Sequence, residues 1–310
     1  MPKQMPGLSL VGFLDRTAAF NHLRTAWDPK ADDITCERVW MAAQNSIGAT
    51  IPKAGKPEVL PVPPESQGHL QQLLSNPKTA PIFAQGGPLF GTEFRMVEID
   101  PLFSYQLSIL LPRAEHHCRH LGAPPVLQEL LDMCLPLDWK DEECNVTRGP
   151  QTVAVTSADL NVRLVPNLAG QLQITVPPPV CAAPTCPAKS ATPPQPQILP
   201  PVYGIMIGPT LPFAHVAHFN GNCYLHNGFH RAFGARMAGA THIPCVFRQA
   251  TDYASVGVRQ DGATFLPALF ESTHPPTLAH FTQKRAHPLE LRRFMRMVQV
   301  TWTELAVPAS

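Results

Sequence analysis

The chain has 310 residues, and its 24 lysines and arginines stand against 23 aspartates and glutamates for a formal net charge of +1. That balance excludes a surface that attracts nucleic acid or membrane through global charge, and 44% hydrophobic with 15% charged residues suits a packed core rather than a disordered chain. No apolar run reaches membrane-spanning length, no basic-then-apolar leader opens the chain, and the 8 cysteines are scattered, so the expectation is a cytoplasmic protein with reduced thiols and no membrane partner.

Residues 1–50 read as a helical segment. Asp15 caps a first helix with Phe20, Leu23 and Trp27 on one face, and Asp32 or Asp33 caps a second with Cys36, Val39, Trp40, Ala43 and Ile47 in register. Such a helical hairpin packs on the main body or on a protein partner. Residues 51–94 read as a proline-containing linker and loops, with prolines concentrated at 52–64. Residues 107–138 carry a helical pattern in which His116 and His120 lie one turn apart, able to chelate a metal if further ligands came from elsewhere. Residues 152–176 alternate as strands and predict an antiparallel meander turning at Ala169-Gly170. The proline tract at 177–201 predicts an extended linker or a docking segment for an SH3-like partner.

The stretch from Cys223 to Phe247 carries the most chemistry. It predicts a strand, a tight turn at Asn227-Gly228, a helix opened by Phe229-His230-Arg231 and ended by Gly239, and a second strand through Ile243-Pro244. A helix N-terminus presents free N–H groups and partial positive charge, which suits a phosphate. A cation such as Arg231 in the first turn opposes that dipole unless an anion is present, so it marks a candidate phosphate contact. His230 either donates to a phosphate, works as a general acid or base, or caps and packs; Asn227 either braces the turn or touches the ligand.

These residues resemble the hallmark of the ParB/sulfiredoxin-like superfamily: Gly228, His230, Arg231, Gly239, Ile243 and Pro244 match it in order. Val97-Glu98-Ile99-Asp100-Pro101-Leu102, with Gln106 after it, resembles the superfamily's first strand. Together the two pieces cover about 65 residues, a moderately specific match. The resemblance implies binding of a nucleoside triphosphate with magnesium, with nucleotide hydrolysis or phosphoryl transfer as the reactions to expect. Two departures limit it. Phe229 stands where sulfiredoxins carry the catalytic cysteine, which argues against sulfiredoxin chemistry. The partition-protein branch has a glutamate followed by two arginines at that point, and then a helix-turn-helix region that this chain does not show.

The resulting expectation is an α/β (α+β) fold. A ParB/sulfiredoxin-like core over 95–250, interrupted by a β-rich insertion at 107–200, would be flanked by the helical N-terminal segment and a C-terminal extension over 251–310. Asn227, Gly228, His230 and Arg231 would cradle phosphates, His230 would be the catalytic candidate, and Glu98 and Asp100 would be the carboxylates for magnesium. The extension predicts an amphipathic helix over 288–300 whose Arg292, Arg293 and Arg296 share a basic face. That face supports one alternative, a non-catalytic nucleic-acid-binding accessory protein. A second alternative is a protein-interaction module with a vestigial pocket, engaged through the N-terminal helices or the proline tract.

Overall fold

In the computed structural model, which describes residues 4–47, 56–85, 87, 89–139, 145–157, 160–165, 204–209, 211–256, 265–282, 284–292 and 296–301, helices and mixed sheets combine in an α+β fold. In chain order the elements are β1 (Gln4–Ser9), α1 (Arg16–Ala26), α2 (Asp33–Ile47), β2 (Val59–Pro61), α3 (Gln67–Ser75), α4 (Ala80–Phe83), β3 (Glu93–Glu98), β4 (Ser108–Leu110), α5 (Leu111–Arg119) and α6 (Leu127–Cys134). They continue with β5 (Asn145–Gly149), β6 (Thr152–Ser157), β7 (Leu160–Val165), β8 (Gly204–Pro209), β9 (His215–Phe219), β10 (Asn222–Asn227), α7 (Phe229–Met237), β11 (His242–Gln249), α8 (Tyr253–Val256), α9 (Pro267–Phe270), β12 (His287–Arg292) and β13 (Arg296–Thr301). The chain divides into two units, Met1–Lys140 with Leu211–Arg293, and Asp141–Thr210 with Phe294–Ser310.

The first unit holds a five-stranded sheet in the order β10-β9-β11-β3-β2 and a three-stranded sheet in the order β12-β1-β4. Asn220-Gly221 turns the β9–β10 hairpin, the dipeptide that two-residue hairpin turns favour. From β10 the chain crosses through α7 and returns as β11, parallel to β9 and antiparallel to β3. Ile243, Pro244, Cys245, Val246 and Phe247 are all buried, as expected for a central strand covered on both faces. The ladder to β9 begins only at Val246, so the missing N–H of Pro244 falls outside it. Phe233 of α7 and Leu225, Val216 and Ile243 of the sheet belong to one buried cluster. Each such aliphatic or aromatic side chain contributes about 1.5–3 kcal/mol by leaving water.

Both N-terminal helices form with the expected caps: Asp15 accepts the Ala18 N–H and Asp32 the Thr35 N–H, each at 2.8 Å. They follow a strand that the helical reading of residues 1–50 missed, since β1 is the middle strand of its sheet. The supposed linker at 51–94 likewise differs. Its described residues supply β2, α3 and α4, and Leu70 and Leu73 are buried beside Phe213 and Val246. Proline there starts short helices instead of forbidding them; Pro64 and Pro81 sit in first turns.

The insertion also begins later than residue 107. β4, α5 and α6 belong to the first unit, and α5 packs on α7. The second unit has a sheet in the order β13-β6-β5 and an antiparallel β7–β8 pair. The expected strand around 172–176, the Ala169-Gly170 turn and the 177–201 tract lie outside the described residues.

The amphipathic helix predicted over 288–300 is not formed. β12 and β13 occupy that stretch and fall in different units. Along β12, Leu289 and Leu291 are buried while Pro288 and Glu290 are exposed, a period of two that pairing with β1 enforces. Arg292 and Arg296 therefore lie on strands and share no helical face. Arg292 donates to the Thr25 carbonyl at 3.4 Å, Arg293 lies outside the described residues, and Arg296 begins β13.

Candidate functional site

The turn between β10 and α7 forms as the sequence predicts, and its geometry divides the candidate residues by role. Gly228 adopts φ +93°, a left-handed conformation that a side chain resists. A Cβ built there would also stand 3.1 Å from the Ala214 Cα, so glycine is required by space as well as by torsion. Asn227 is the brace of the turn. Its amide donates to the carbonyls of Leu211 at 2.6 Å and Phe213 at 3.0 Å, and its Oδ1 accepts the Gly228 N–H at 2.7 Å. Those three bonds commit the side chain to the backbone, and the ligand role foreseen for it gives way to a structural one.

The first intrahelical bond of α7 runs from the Ala232 N–H to the Gly228 carbonyl at 2.8 Å. The N–H groups of Phe229, His230 and Arg231 precede it and carry the positive end of the helix dipole. Phe229 is buried with its ring edge-to-face on Tyr105, centroids 5.2 Å apart. Phe229 is thus a packing anchor. Arg231 folds back along the turn, its Nε 3.6 Å from the place a Gly228 Cβ would occupy.

Gly234 sets the second wall of the site. A Cβ on it would meet the Ala114 carbonyl at 2.7 Å and the His117 Cβ at 2.9 Å, so α5 and α7 touch backbone to backbone. That approach brings α5, with Arg113 and His117, against His230 and Arg231. His230 Nε2 accepts the Leu110 N–H, the residue that caps α5, at 3.1 Å. Burial, then the charges of Arg113, His117 and Arg231, push its pKa down to about 3. His117 is lowered to about 4 by burial first, then by Arg231, His116, His120 and Arg113. A neutral imidazole whose lone pair already accepts a hydrogen bond is no general acid or base at neutral pH. His230 is corrected from catalytic candidate to the cap that joins two helices.

The magnesium assignment does not fit either. Asp100 pairs with Arg236 in the last turn of α7, and Glu98 accepts the Glu58 N–H at 3.1 Å at the far end of β3. A nine-residue helix separates that end from the Gly228 turn, roughly 13 Å at the α-helical rise. His116 on α5 and His120 just past its end face each other with ring centroids 4.7 Å apart, yet no group of three His, Cys, Asp or Glu that could hold a metal occurs among the described residues. Arg113 and His117 are the site residues that sequence reasoning missed. The signal was present in small residues, Ala114 on α5 and Gly234 on α7, which permit the close crossing that makes neighbours of residues far apart in the chain.

No family model, no curated protein and no solved structure matches this chain. No helix among the described residues is long and apolar enough to cross a membrane.

Proposed function

We propose that the chain binds a phosphate-bearing small molecule where α5 and α7 begin, with the phosphate on the N–H groups of Phe229, His230 and Arg231 and on the Arg231 guanidinium. One observation carries the reading: the N–H groups of Phe229, His230 and Arg231 precede the first intrahelical bond of α7, and Arg231 lies in that same turn with its Nε 3.6 Å from where a Gly228 Cβ would stand. The positive end of a helix, with its free N–H groups, favours a bound anion. Arginine also offers a planar fork for phosphate oxygens. Under the ParB/sulfiredoxin-like resemblance the ligand is a nucleoside triphosphate. Any magnesium would arrive on the nucleotide, since Glu98 and Asp100 lie at the other end of α7. Binding alone is proposed; with His230 neutral and engaged, hydrolysis and phosphoryl transfer lose the acid–base residue assigned to them.

The test is a thermal-shift titration of the wild-type chain and Arg231→Ala against the four nucleoside triphosphates, with and without magnesium. A ligand at 100 times its dissociation constant adds about 2.7 kcal/mol to the folded state. Stabilisation by one nucleotide that disappears in a folded Arg231→Ala chain supports the reading. The absence of any shift in the wild type sinks it. The nucleic-acid alternative loses its main support, because the basic helix does not form; the protein-interaction alternative gains no specific observation.

A further inference from the structure

A second polar cluster lies at the same end of the five-stranded sheet, on residues that the phosphate reading does not use. His215 opens β9, His226 lies near the end of β10 beside a break in the ladder, and Arg248 lies near the end of β11. The parallel register places Val246 beside His215 and Arg248 beside Ala217, so His215 and Arg248 point to one side of the sheet two positions apart. The rings of His215 and His226 stand 4.7 Å apart. Only 7% of His215 is exposed, and its Nε2 is buried without a hydrogen-bond partner. The Nε of Arg248 is also buried without one.

The surroundings fix what these atoms offer. Val256 accepts from His226 Nδ1 at 2.6 Å; a carbonyl cannot donate, so Nδ1 carries a proton. One guanidinium nitrogen of Arg248 donates to the Ser255 carbonyl, which anchors the head group and leaves the Nε–H uncommitted. Tyr105 donates its hydroxyl to the His226 carbonyl. No carboxylate forms an ion pair with Arg248 among the described residues. Two unpaired donor-capable atoms in one buried cluster and a partly buried guanidinium without a counter-ion are each costly, and an oxyanion relieves both at once.

We propose that His215, His226 and Arg248 form a binding site for one small oxyanion, a carboxylate or a phosphate, separate from the Gly228 turn. Arg248 supplies the permanent charge and an Nε–H donor. His215 supplies a second donor from Nε2 in the matching tautomer, and His226 fixes the position of the His215 ring. The site does not depend on whether a nucleotide binds at α7.

The experiment is a titration of the full chain, with ¹⁵N-labelled histidines, using inorganic phosphate in one arm and succinate in the other at constant ionic strength. Saturable shifts of the His215 ring nitrogens, assigned by their loss in His215→Gln, are the expected result. The arm that saturates at lower concentration identifies the anion class. Arg248→Gln should weaken that binding about ten-fold or more, while Arg231→Ala leaves it within about two-fold. The proposal is overturned if neither anion moves the His215 signals of the wild type, a readout that stands even should Arg248→Gln fail to fold. Wild-type affinity in a folded Arg248→Gln chain overturns it too. Equal loss in Arg231→Ala would place the anion at the turn and likewise refute a separate site.

Discussion

His230 accepts the backbone N–H of Leu110 through Nε2 at 3.1 Å, and with that bond the first turn of α7 becomes the cap of α5. The bond joins the starts of two helices through residues 120 apart in the chain. Replacing it by leucine leaves a partly buried donor unsatisfied, for a loss of about 1–3 kcal/mol. Urea unfolding of His230→Leu and His230→Gln measures this, with part of the loss recovered in the glutamine variant. Anion affinity should change little. A well-folded His230→Leu chain that no longer responds to nucleotide would return the residue to the ligand site.

The same burial makes stability depend on pH. His230 is lowered from 6.5 to about 3, and His22, His117 and His280 from 6.5 to about 4. In each case burial is the main cause. Between those values the unfolded chain binds protons that the native chain refuses. Stability therefore rises with pH across the window, is fully present above 6.5, and is lost as pH falls towards 4. Urea midpoints should drop steadily over that interval. His230→Gln should flatten the slope, and an unchanged slope would show that the imidazole is not held neutral.

Gly234 shows why an ordinary helix rule fails here. Alanine is the better helix former by about 1 kcal/mol, yet its Cβ would stand 2.7 Å from the Ala114 carbonyl, which is backbone and cannot swing aside. Overpacking should outweigh propensity, for a net loss of about 1–3 kcal/mol in Gly234→Ala. Because α5 carries Arg113 and His117, nucleotide affinity should fall with stability in this variant. Gly68 of α3 has open space around it, so Gly68→Ala should stabilise the chain and serves as the control.

The Asp100–Arg236 pair is half exposed on the carboxylate side, and such pairs contribute about 0–1 kcal/mol. Asp100→Asn should lower stability by no more than that and leave nucleotide response with magnesium unchanged. Loss of a magnesium effect in this variant would reinstate the carboxylate as a ligand.

Local features were legible in the sequence, and packing partners were not. The Asp15 and Asp32 caps, the Asn227-Gly228 turn and the strand–helix–strand around it rest on short-range chemistry, and each formed as read. The partners of His230 and Asn227 lie across chain separations of 120 and 14–16 residues, which no local pattern encodes. Asp100 is a magnesium candidate only through the resemblance of a separate stretch to the same superfamily; the fold joins it to the far end of α7. Residues 1–50 concealed β1 because the short segment Gln4–Ser9 lacks a clear alternation and takes its place from pairing on both sides.

The helix that the sequence predicts over 288–300 and the strand the fold forms there are separated by three substitutions. A helix over 288–300 would bury Leu291 and leave Glu290 and Arg292 on other faces; so does β12, which is why the helical period was plausible. They differ at Leu289, which two positions from Leu291 would stand about 200° round a helix, whereas the strand buries it beside Leu291 against β1. Leu289→Ala should therefore cost about 2–5 kcal/mol, like Leu291→Ala, since each removes a buried aliphatic side chain. Glu290→Ala, on the exposed side, should fall within about 0.5 kcal/mol. Urea unfolding of the three variants is the measurement. A Leu289→Ala variant as mild as Glu290→Ala would restore the helix, and with it the basic face on which nucleic-acid binding was argued.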